Sequence, residues 1–245
     1  MPKADEIKQT IVDSYSKIAR TSGCGCSCSC SNQATQRQTK QIGYSQEEMD
    51  AAPAASNLGL GCGNPVAIAS LKEGETVVDL GSGAGFDAFL AARKVGKTGK
   101  VIGIDMSDEM LDKAVTNAEN NGYENVEFKK GDIENLPIKN DFADVVISNC
   151  VINLAPDKVK VFREVHRVLK SGGRLMVSDT VLLKPLPEEI KNDKELLVGC
   201  VSGAILKNDY LDLLKESGFK KIIIHKELPG FLQDLSQSIT YSAIK

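Results

Sequence analysis

The chain of 245 residues lacks several features that mark whole classes of protein. It has no apolar run approaching the roughly 20 residues of a membrane-spanning helix. Its start, Met1 to Thr10, is polar and has no apolar segment of the kind that signal peptides carry. Lys and Arg are scattered among Asp and Glu, and the net charge is −3. We therefore expect a cytoplasmic protein that binds neither membranes nor nucleic acid.

Histidine is scarce, and cysteine occurs in an odd number. The two histidines, His166 and His225, lie away from the motifs described below, so the sequence offers no obvious general base. His166 falls on a predicted helix, where we expect a structural role. Seven cysteines in a chain without a recognisable leader argue against a disulfide framework. We expect thiols available for a soft metal, a metalloid or redox chemistry.

Residues 1–60 are predicted to form an amino-terminal segment. Apolar side chains at helical spacing predict an amphipathic helix over 4–19. Alternating cysteines follow, and then a polar stretch rich in Gln and Thr, which has too few apolar residues to pack and is expected to be a loop. Asn64 before Pro65 predicts the cap and first residue of a short helix through Leu71.

From residue 76 onward, apolar strands alternate with helical segments, which predicts an α/β fold with a mostly parallel sheet. Ligands of such sheets bind beyond the carboxyl ends of the strands. We expect the sheet domain over 61–182 and a smaller region with a helical cap over 183–245. The strands are predicted at Thr76–Leu80, Val101–Asp105, Val126–Lys129, Ala143–Asn149, Arg174–Asp179, Lys221–His225 and Ser238–Ile244, and the helices at about 86–94, 107–121, 157–169 and 207–217.

A glycine-rich turn ends the first strand, in Asp79-Leu80-Gly81-Ser82-Gly83-Ala84-Gly85-Phe86. Glycines there let the backbone approach a nucleotide before the helix begins. The dinucleotide fingerprint needs glycine where this chain has Phe86, so the spacing argues against NAD.

Two further motifs end the next two strands. Asp105 can accept hydrogen bonds from both hydroxyls of a ribose. In Gly131-Asp132-Ile133, the Asp can meet an adenine amino group while Ile133 packs on the ring. A tight turn or a helix cap would explain any one of these motifs alone, but their order on successive strands favours a nucleotide site.

Together these motifs resemble those of class I methyltransferases that use S-adenosylmethionine (SAM). The resemblance covers about residues 60–180 and implies a Rossmann-like seven-stranded sheet whose last strand, Ser238–Ile244, is antiparallel. It also implies that SAM is bound by Asp79, Gly81, Ser82 and Gly83 at the methionine part, Asp105 and Met106 at the ribose, Asp132 and Ile133 at the adenine, and Asn149 near the methyl group. The motifs that carry it are Asp79-Leu80-Gly81-Ser82-Gly83, Asp105, Gly131-Asp132-Ile133, Leu136-Pro137 and Leu169-Lys170-Ser171-Gly172-Gly173.

Three isolated cysteines stand outside the alternating run. Cys150 directly follows the fourth predicted strand, at the edge where the cofactor is expected. Cys62 lies in a glycine-rich loop, and Cys200 has glycines nearby on both sides. A free cysteine is commonly a small buried apolar residue, and for Cys200 taken alone that explanation is favoured.

A second resemblance extends over nearly the whole chain. Gly61-Cys62-Gly63-Asn64-Pro65, Ser148-Asn149-Cys150-Val151-Ile152-Asn153-Leu154 and Gly199-Cys200 resemble the three cysteine segments of arsenite methyltransferases. The resemblance implies that Cys62, Cys150 and Cys200 bind trivalent arsenic, which receives the SAM methyl group in a detoxification reaction. Thiolates are suitable ligands for a soft acceptor, and an arsenic lone pair needs no general base.

The alternating cysteines leave several explanations open: a zinc or copper site, a metalloid-scavenging tail or a disordered tail. Structural zinc usually shows paired cysteines two to four residues apart. The resemblance implies that one of Cys24, Cys26, Cys28 and Cys30, here assigned to Cys30, pairs with Cys62 to supply electrons. A reductant of the glutathione or thioredoxin type is then expected as co-substrate.

Two alternative functions remain open at this stage. A methyltransferase for a quinone-type or other small organic acceptor would make Cys150 incidental and would need a general base. A thiol-rich metal-binding protein on an inactive fold would have no use for the intact set of cofactor residues.

Overall fold

A computed structural model describes residues 4–21, 29–191, 196, 200–232 and 234–245. Its centre is a seven-stranded sheet in the order β3-β2-β1-β4-β5-β7-β6. Strand β7 runs antiparallel to both of its neighbours, and the other pairs are parallel, as predicted. The strands are Thr76–Leu80 (β1), Lys100–Asp105 (β2), Val126–Lys130 (β3), Ala143–Asn149 (β4), Leu169–Leu182 (β5), Lys220–Pro229 (β6) and Ser236–Ile244 (β7).

Helices cover both faces of this sheet. Those predicted at 86–94, 107–121, 157–169 and 207–217 are confirmed to within two residues at each end, as is the amino-terminal helix. No helix in the described ranges is both long and apolar enough to cross a membrane. The helices are Ala4–Thr21 (α1), Ser29–Gln41 (α2), Gln46–Ala51 (α3), Pro65–Ile68 (α4), Phe86–Val95 (α5), Asp108–Asn120 (α6), Lys158–Val168 (α7), Glu188–Lys191 (α8) and Lys207–Glu216 (α9).

Two apolar clusters form the core, one on each face of the sheet. Val78 and Ile104 point to the face covered by α7 and α9, where Phe162 and Tyr210 are fully buried. The neighbouring side chains of the same strands, such as Val77, point to the face covered by α5. Because the central strands are buried on both faces, they read as continuous apolar runs, which is why the sequence predicts them well.

The prediction of a loop for the polar stretch was wrong where the structure describes it, because residues 29–41 form α2. Its many Gln, Lys and Arg residues have good helix propensity. Thr39 is almost completely buried, its hydroxyl donates to the Thr35 carbonyl oxygen at 2.8 Å, and it lies 3.1 Å from Asn57 Oδ1. A contact with a distant polar residue therefore anchors a helix that has little apolar surface.

Two predicted elements, a helix and a strand, have different bounds in the structure. Asn64 caps α4 as expected, because its Oδ1 accepts a hydrogen bond from the Ala67 amide at 2.9 Å, but the helix ends at Ile68 and not at Leu71. Strand β5 begins at Leu169, well before the predicted Arg174, and continues to Leu182.

The described part of 183–206 contains the short helix α8 and a small apolar cluster of its own. Leu182, Leu186, Val201 and Ala204 are buried together there. The cluster holds the chain near Cys200 against the end of β5, because the Leu182 amide donates to the Ile205 carbonyl at 2.8 Å.

Candidate active site

A pocket opens at the carboxyl ends of β1, β2 and β4, where the strand order switches direction. Such a switch point is where α/β sheets bind ligands. All of the predicted cofactor residues line this one pocket: Asp79, Gly81, Ser82, Gly83, Asp105, Met106, Asp132, Ile133 and Asn149. Helix α1 lies over it and contributes Lys8, Ile11, Val12 and Tyr15 to the lining.

Asp105 connects the turns that follow β1 and β2. Its Oδ2 accepts a hydrogen bond from the Gly83 amide at 2.9 Å, and its Oδ1 accepts one from the Ser107 amide at 2.9 Å. Burial raises the pKa of Asp105, while these backbone donors lower it. Ser107, not Asp105, caps α6 by accepting from the Met110 amide, so the carboxylate orients the glycine-rich turn.

Asp132 lies at the opposite end of the pocket and contacts α1. Its Oδ2 forms an ion pair with the Lys8 ammonium at 2.6 Å, and Lys8 also reaches Glu134 at 2.7 Å. Burial lowers the pKa of Lys8, but the hydrogen bonds to Asp132 and Glu134 outweigh it, so the pKa is raised. Ile133 beside them is buried, as an adenine-packing side chain should be.

A second polar group surrounds Asp79, and it includes two residues that the sequence analysis did not single out. The Tyr44 hydroxyl donates to Asp87 Oδ1 at 2.5 Å, and Asn149 Nδ2 donates to Asp87 Oδ2 at 3.0 Å. Burial raises the pKa of both carboxyls, to about 6 for Asp87, and the charge of Asp87 raises the pKa of Asp79 further. Asp87 comes one residue after the glycine-rich turn, a signal that could have found it, whereas nothing local marks Tyr44.

Two buried atoms in the lining lack a hydrogen-bond partner among the described residues, namely Asp79 Oδ2 and Ser82 Oγ. Buried polar groups in proteins nearly always have partners, so such atoms at a pocket wall call for a polar ligand. An anionic oxygen suits a cationic amino group, and a hydroxyl can donate to a carboxylate. The residues present therefore fit the methionine part of SAM.

The Cys62 loop is held against the ends of β4, β5 and β7. The Ser238 hydroxyl donates to the Cys62 carbonyl at 2.7 Å. The glycines on either side of Cys62 have no room for a Cβ, because neighbouring side chains approach their backbone closely. A Cβ at Gly61 would lie 2.6 Å from Asn149 Nδ2, and one at Gly63 would lie 2.5 Å from Ser178 Oγ.

The three isolated cysteines, which are far apart in sequence, meet beside this pocket. Cys150 lines the pocket and packs in one cluster with Cys200, Cys62, Leu154 and Tyr15. Cys62 Sγ and Cys150 Sγ lie within 4.8 Å of each other. Cys200 Sγ donates to the Cys150 carbonyl oxygen at 3.2 Å. The structure thus brings together the thiols that the resemblance grouped.

Two of these cysteines have an unusual backbone conformation. Cys150 has φ of 61° and Cys200 has φ of 64°, in the left-handed region that side chains with a Cβ rarely adopt. Such strain costs on the order of 1–3 kcal/mol and persists where surrounding structure imposes it. The Cys150 amide is held by the Ser178 carbonyl at 2.8 Å, and the Cys200 carbonyl by Asn153 Nδ2 at 2.7 Å. Both turns direct side chains into the cluster at a conformational cost.

The pKa values of both Cys150 and Cys200 are raised in this arrangement, which favours the protonated thiols. The hydrogen bond with Cys200 lowers the pKa of Cys150, but the hydrogen bond with Cys62, burial and nearby charges outweigh it and raise the pKa well above the usual value. The hydrogen bond with Cys150 and burial raise the pKa of Cys200. Thiols in this state bind an electrophile by giving up their protons to its leaving groups.

Comparisons with known proteins agree with this geometry. Residues 71–218 match a family model described as a methyltransferase domain. Curated proteins named arsenite methyltransferase match from Halobacterium salinarum, with 48% identity over 76% of this chain, and from Mus musculus, with 34% identity over 94% of it. A crystal structure of an arsenic(III) S-adenosylmethionine methyltransferase from Chlamydomonas reinhardtii matches with a TM-score of 0.70 and 33% identity, covering 86% of this chain and 73% of that one. This chain belongs to the arsenite methyltransferase family.

The matches do not span the whole of the curated family members. The alignments cover 48% of the Halobacterium salinarum protein and 65% of the mouse protein. The chain therefore spans about half to two thirds of the length of these arsenite methyltransferases.

Two more residues of this arsenite methyltransferase family member lie at the cysteine cluster and were missed by the sequence analysis. Tyr15 of α1 packs against Cys150 and Cys200 and also lines the cofactor pocket. Burial raises the pKa of Tyr15, and the proximity of those two cysteines raises it further. Asp179 of β5 places a carboxylate oxygen within 4.8 Å of Cys62 Sγ and Cys150 Sγ. No sequence motif marks either residue.

The remaining predicted residues divide into two groups. Cys24, Cys26 and Cys28 lie outside the described residues, and for Cys30 the structure gives only its place near the start of α2. The two histidines lie away from the pocket. His166 packs edge-on against Phe219, and His225 Nε2 lies 2.7 Å from Ser242 Oγ, which fits structural roles.

Proposed function

We propose that the protein methylates trivalent arsenic, with SAM as methyl donor and Cys62, Cys150 and Cys200 as the arsenic ligands. The observation that carries this proposal is the meeting of three thiols, one of which is Cys150, beside a pocket lined by all of the predicted SAM-binding residues. Cys150 belongs to both groups, so an atom bound to its sulfur would lie next to the cofactor. SAM supplies an electrophilic methyl group on a positively charged sulfur.

Binding of the acceptor needs no base. Each thiol forms a bond from sulfur to arsenic, and its proton leaves with a hydroxide of arsenous acid as water. Three thiols and one arsenous acid thus give a neutral trithiolate and three waters. Because proton and hydroxide leave together, the raised pKa values of Cys150 and Cys200 are compatible with binding.

The chain contributes to transfer mainly by positioning. The strained turns at Cys150 and Cys200 fix where the acceptor sits, and the glycine-rich turn held by Asp105 fixes where the donor sits. Holding two reactants in a near-attack pose can supply a large part of a rate enhancement. Tyr15 and α1 cover both groups and limit the access of water.

Methylation formally oxidises arsenic by two electrons, so turnover needs a reductant. We propose that Cys62 and Cys30 supply these electrons: the Cys30 sulfur loses its proton and bonds to the Cys62 sulfur, while the bond from Cys62 to arsenic breaks and its electron pair stays on arsenic. A cytoplasmic reductant of the glutathione or thioredoxin type then reduces the disulfide to two thiols. The biological role would be arsenic detoxification.

The test is a single-turnover assay with SAM, arsenite and pre-reduced protein, in which arsenic species are separated by chromatography with elemental detection. Methylated arsenic is expected from the unmodified chain and none from Cys150→Ser, with the SAM dissociation constant unchanged. Cys26→Ser is the matched control, because it makes the same substitution at a cysteine that is not in the proposed ligand set, and no re-reduction is needed in one turnover.

The other outcomes are also informative. Methylation by Cys150→Ser at the normal rate would remove Cys150 from the ligand set. No methylated arsenic from the unmodified chain, with SAM bound, would overturn the arsenic assignment and direct attention to other acceptors.

A further inference from the structure

Asp179 is a buried carboxylate next to the thiol cluster, and it has no part in the mechanism described so far. It lies within β5 and is completely inaccessible to solvent. One of its oxygens lies within 4.8 Å of both Cys62 Sγ and Cys150 Sγ. A fully buried carboxylate is costly to a fold, and one at a reaction site calls for an explanation.

Hydrogen-bond donors around Asp179 offset part of the cost of burying its charge. The Asn153 amide donates to Oδ2 at 3.0 Å, the Tyr210 hydroxyl donates to Oδ2 at 2.9 Å, and the Thr180 amide donates to Oδ1 at 3.0 Å. Burial raises the pKa of Asp179 to about 7, while these donors and the nearby Lys158 act in the opposite direction. These hydrogen bonds stabilise the ionised form of Asp179 and fix the position of the carboxyl group beside the thiols.

Lys158 is close enough to influence Asp179 but is engaged elsewhere. Its ammonium donates to the carbonyl oxygens of Asn153 and Ala155, each at 3.0 Å. Within the described ranges, no lysine or arginine forms an ion pair with Asp179. The negative charge of Asp179 is therefore compensated only in part and remains available to the thiol cluster.

We propose that Asp179 stabilises the positive charge that develops on arsenic during methyl transfer. This inference rests on the proposed function. The arsenic lone pair forms the new bond to carbon, and the electrons of the broken carbon–sulfur bond return to the donor sulfur. The sulfonium becomes a neutral thioether, and arsenic with three sulfur ligands and one methyl group becomes a cation.

The location of Asp179 makes this charge effect selective for the transition state. Before transfer, the arsenic trithiolate is neutral and gains little from an adjacent anion. As transfer proceeds, the charge moves from the cofactor toward the cluster, where Leu154 and Tyr15 would otherwise offer mostly apolar surroundings. A preorganised charge in a buried site acts strongly on a charge that forms there. Asp179 should therefore affect the rate of transfer and not the affinity for arsenite.

The experiment compares Asp179→Asn with the unmodified chain in single turnover, after arsenite and SAM have bound. The Asn side chain has the same shape but no charge. We expect a transfer rate lower by roughly 10- to 100-fold. Arsenite affinity and SAM affinity should stay within about twofold, because neither complex places a new positive charge on arsenic.

Tyr210→Phe is the matched control. It removes one donor and leaves the carboxyl group in place, so its transfer rate should fall by less than that of Asp179→Asn. If Asp179→Asn does not fold, the pair Asp179→Glu and Asp179→Gln decides the question, because the two side chains share a length and differ in charge. The Glu variant should transfer the methyl group faster than the Gln variant.

Two results would overturn the proposal, and a third would overturn the proposed function on which it rests. Normal transfer by Asp179→Asn would exclude the charge effect. A loss of arsenite binding that accounts for the whole loss of rate would make Asp179 a structural residue. Absence of methylated arsenic from the unmodified chain would instead remove the proposed function, and this inference with it.

Discussion

The Asn149 side chain, which lines the cofactor pocket, holds Cys62 in place through direct hydrogen bonds. Its Oδ1 accepts a hydrogen bond from the Cys62 amide at 3.0 Å, and its Nδ2 donates to the Gly63 carbonyl at 2.9 Å. The same Nδ2 also contacts Tyr44 and Asp87, which belong to the group around Asp79. One amide side chain at the end of β4 therefore connects the methionine end of the predicted SAM site with a predicted arsenic ligand.

The first prediction concerns this connection. Asn149→Ala should lower the single-turnover rate of arsenic methylation by about 10- to 100-fold, because Cys62 loses its fixed position. Asn125→Ala is the control, since the Asn125 side chain also donates to two backbone carbonyls, those of Ala92 and Gly96, at the far edge of the sheet. Equal methylation rates for the two variants would show that the hydrogen bonds from Asn149 to the Cys62 loop do not contribute to methyl transfer.

Asp105 is expected to hold the ribose and to orient the Gly83 turn. Asp105→Ala should weaken SAM binding by at least about tenfold, since a hydrogen bond to a charged group contributes about 1.5–3 kcal/mol. Asp108→Ala is matched in charge and close in sequence, but Asp108 is largely exposed and forms an ion pair with Lys130. Calorimetry should show a higher SAM dissociation constant for Asp105→Ala than for Asp108→Ala. An unchanged SAM dissociation constant for Asp105→Ala would show that Asp105 does not belong to the cofactor site.

Helix α1 should retain the cofactor through Lys8. Lys8→Met removes the ion pairs to Asp132 and Glu134 and should raise the SAM dissociation constant by up to about fivefold, the effect of about 1 kcal/mol. Arg20→Met removes the ion pair to Glu109, where Arg20 is 70% exposed, and should change little. A larger rise in the SAM dissociation constant for Arg20→Met than for Lys8→Met would contradict this role of Lys8. The rate at which SAM dissociates from each variant can be measured by stopped flow.

The affinity for SAM should rise with pH between about 5 and 7. Asp87 has a pKa of about 6 and faces Tyr44 and Asp79, with Glu48 nearby. Below that value the carboxyl is neutral, and above it the anion attracts the cationic amino group of SAM, which stays protonated up to about pH 7.7. Asp87→Asn should flatten this dependence. A flat profile for the unmodified chain would show that the two carboxyls do not face the amino group.

Much of the sheet could be predicted from the sequence because its central strands are buried on both faces. The apolar residues in the centres of β1 and β4, Val77-Val78 and Val145-Val146-Ile147, reflect that burial directly. The glycine-rich turn and Asp105 were also predictable, since each sits at a strand end and acts through its own backbone neighbourhood. Helix α2 was not, because its anchor, Thr39, is buried by a contact with Asn57 that no local pattern encodes.

The sequence by itself determined the order of strands and helices and the family resemblance of the three cysteine segments, and it predicted a set of cofactor residues that line one pocket. Only the tertiary structure decided which distant groups meet: Tyr44 with Asp87, Tyr15 with the cysteines, and Asp179 with Cys62 and Cys150. Periodicity and turn chemistry are local, whereas these contacts depend on how loops close over the sheet edge. For that reason the reacting groups were predictable one at a time, and their charges and neighbours were not.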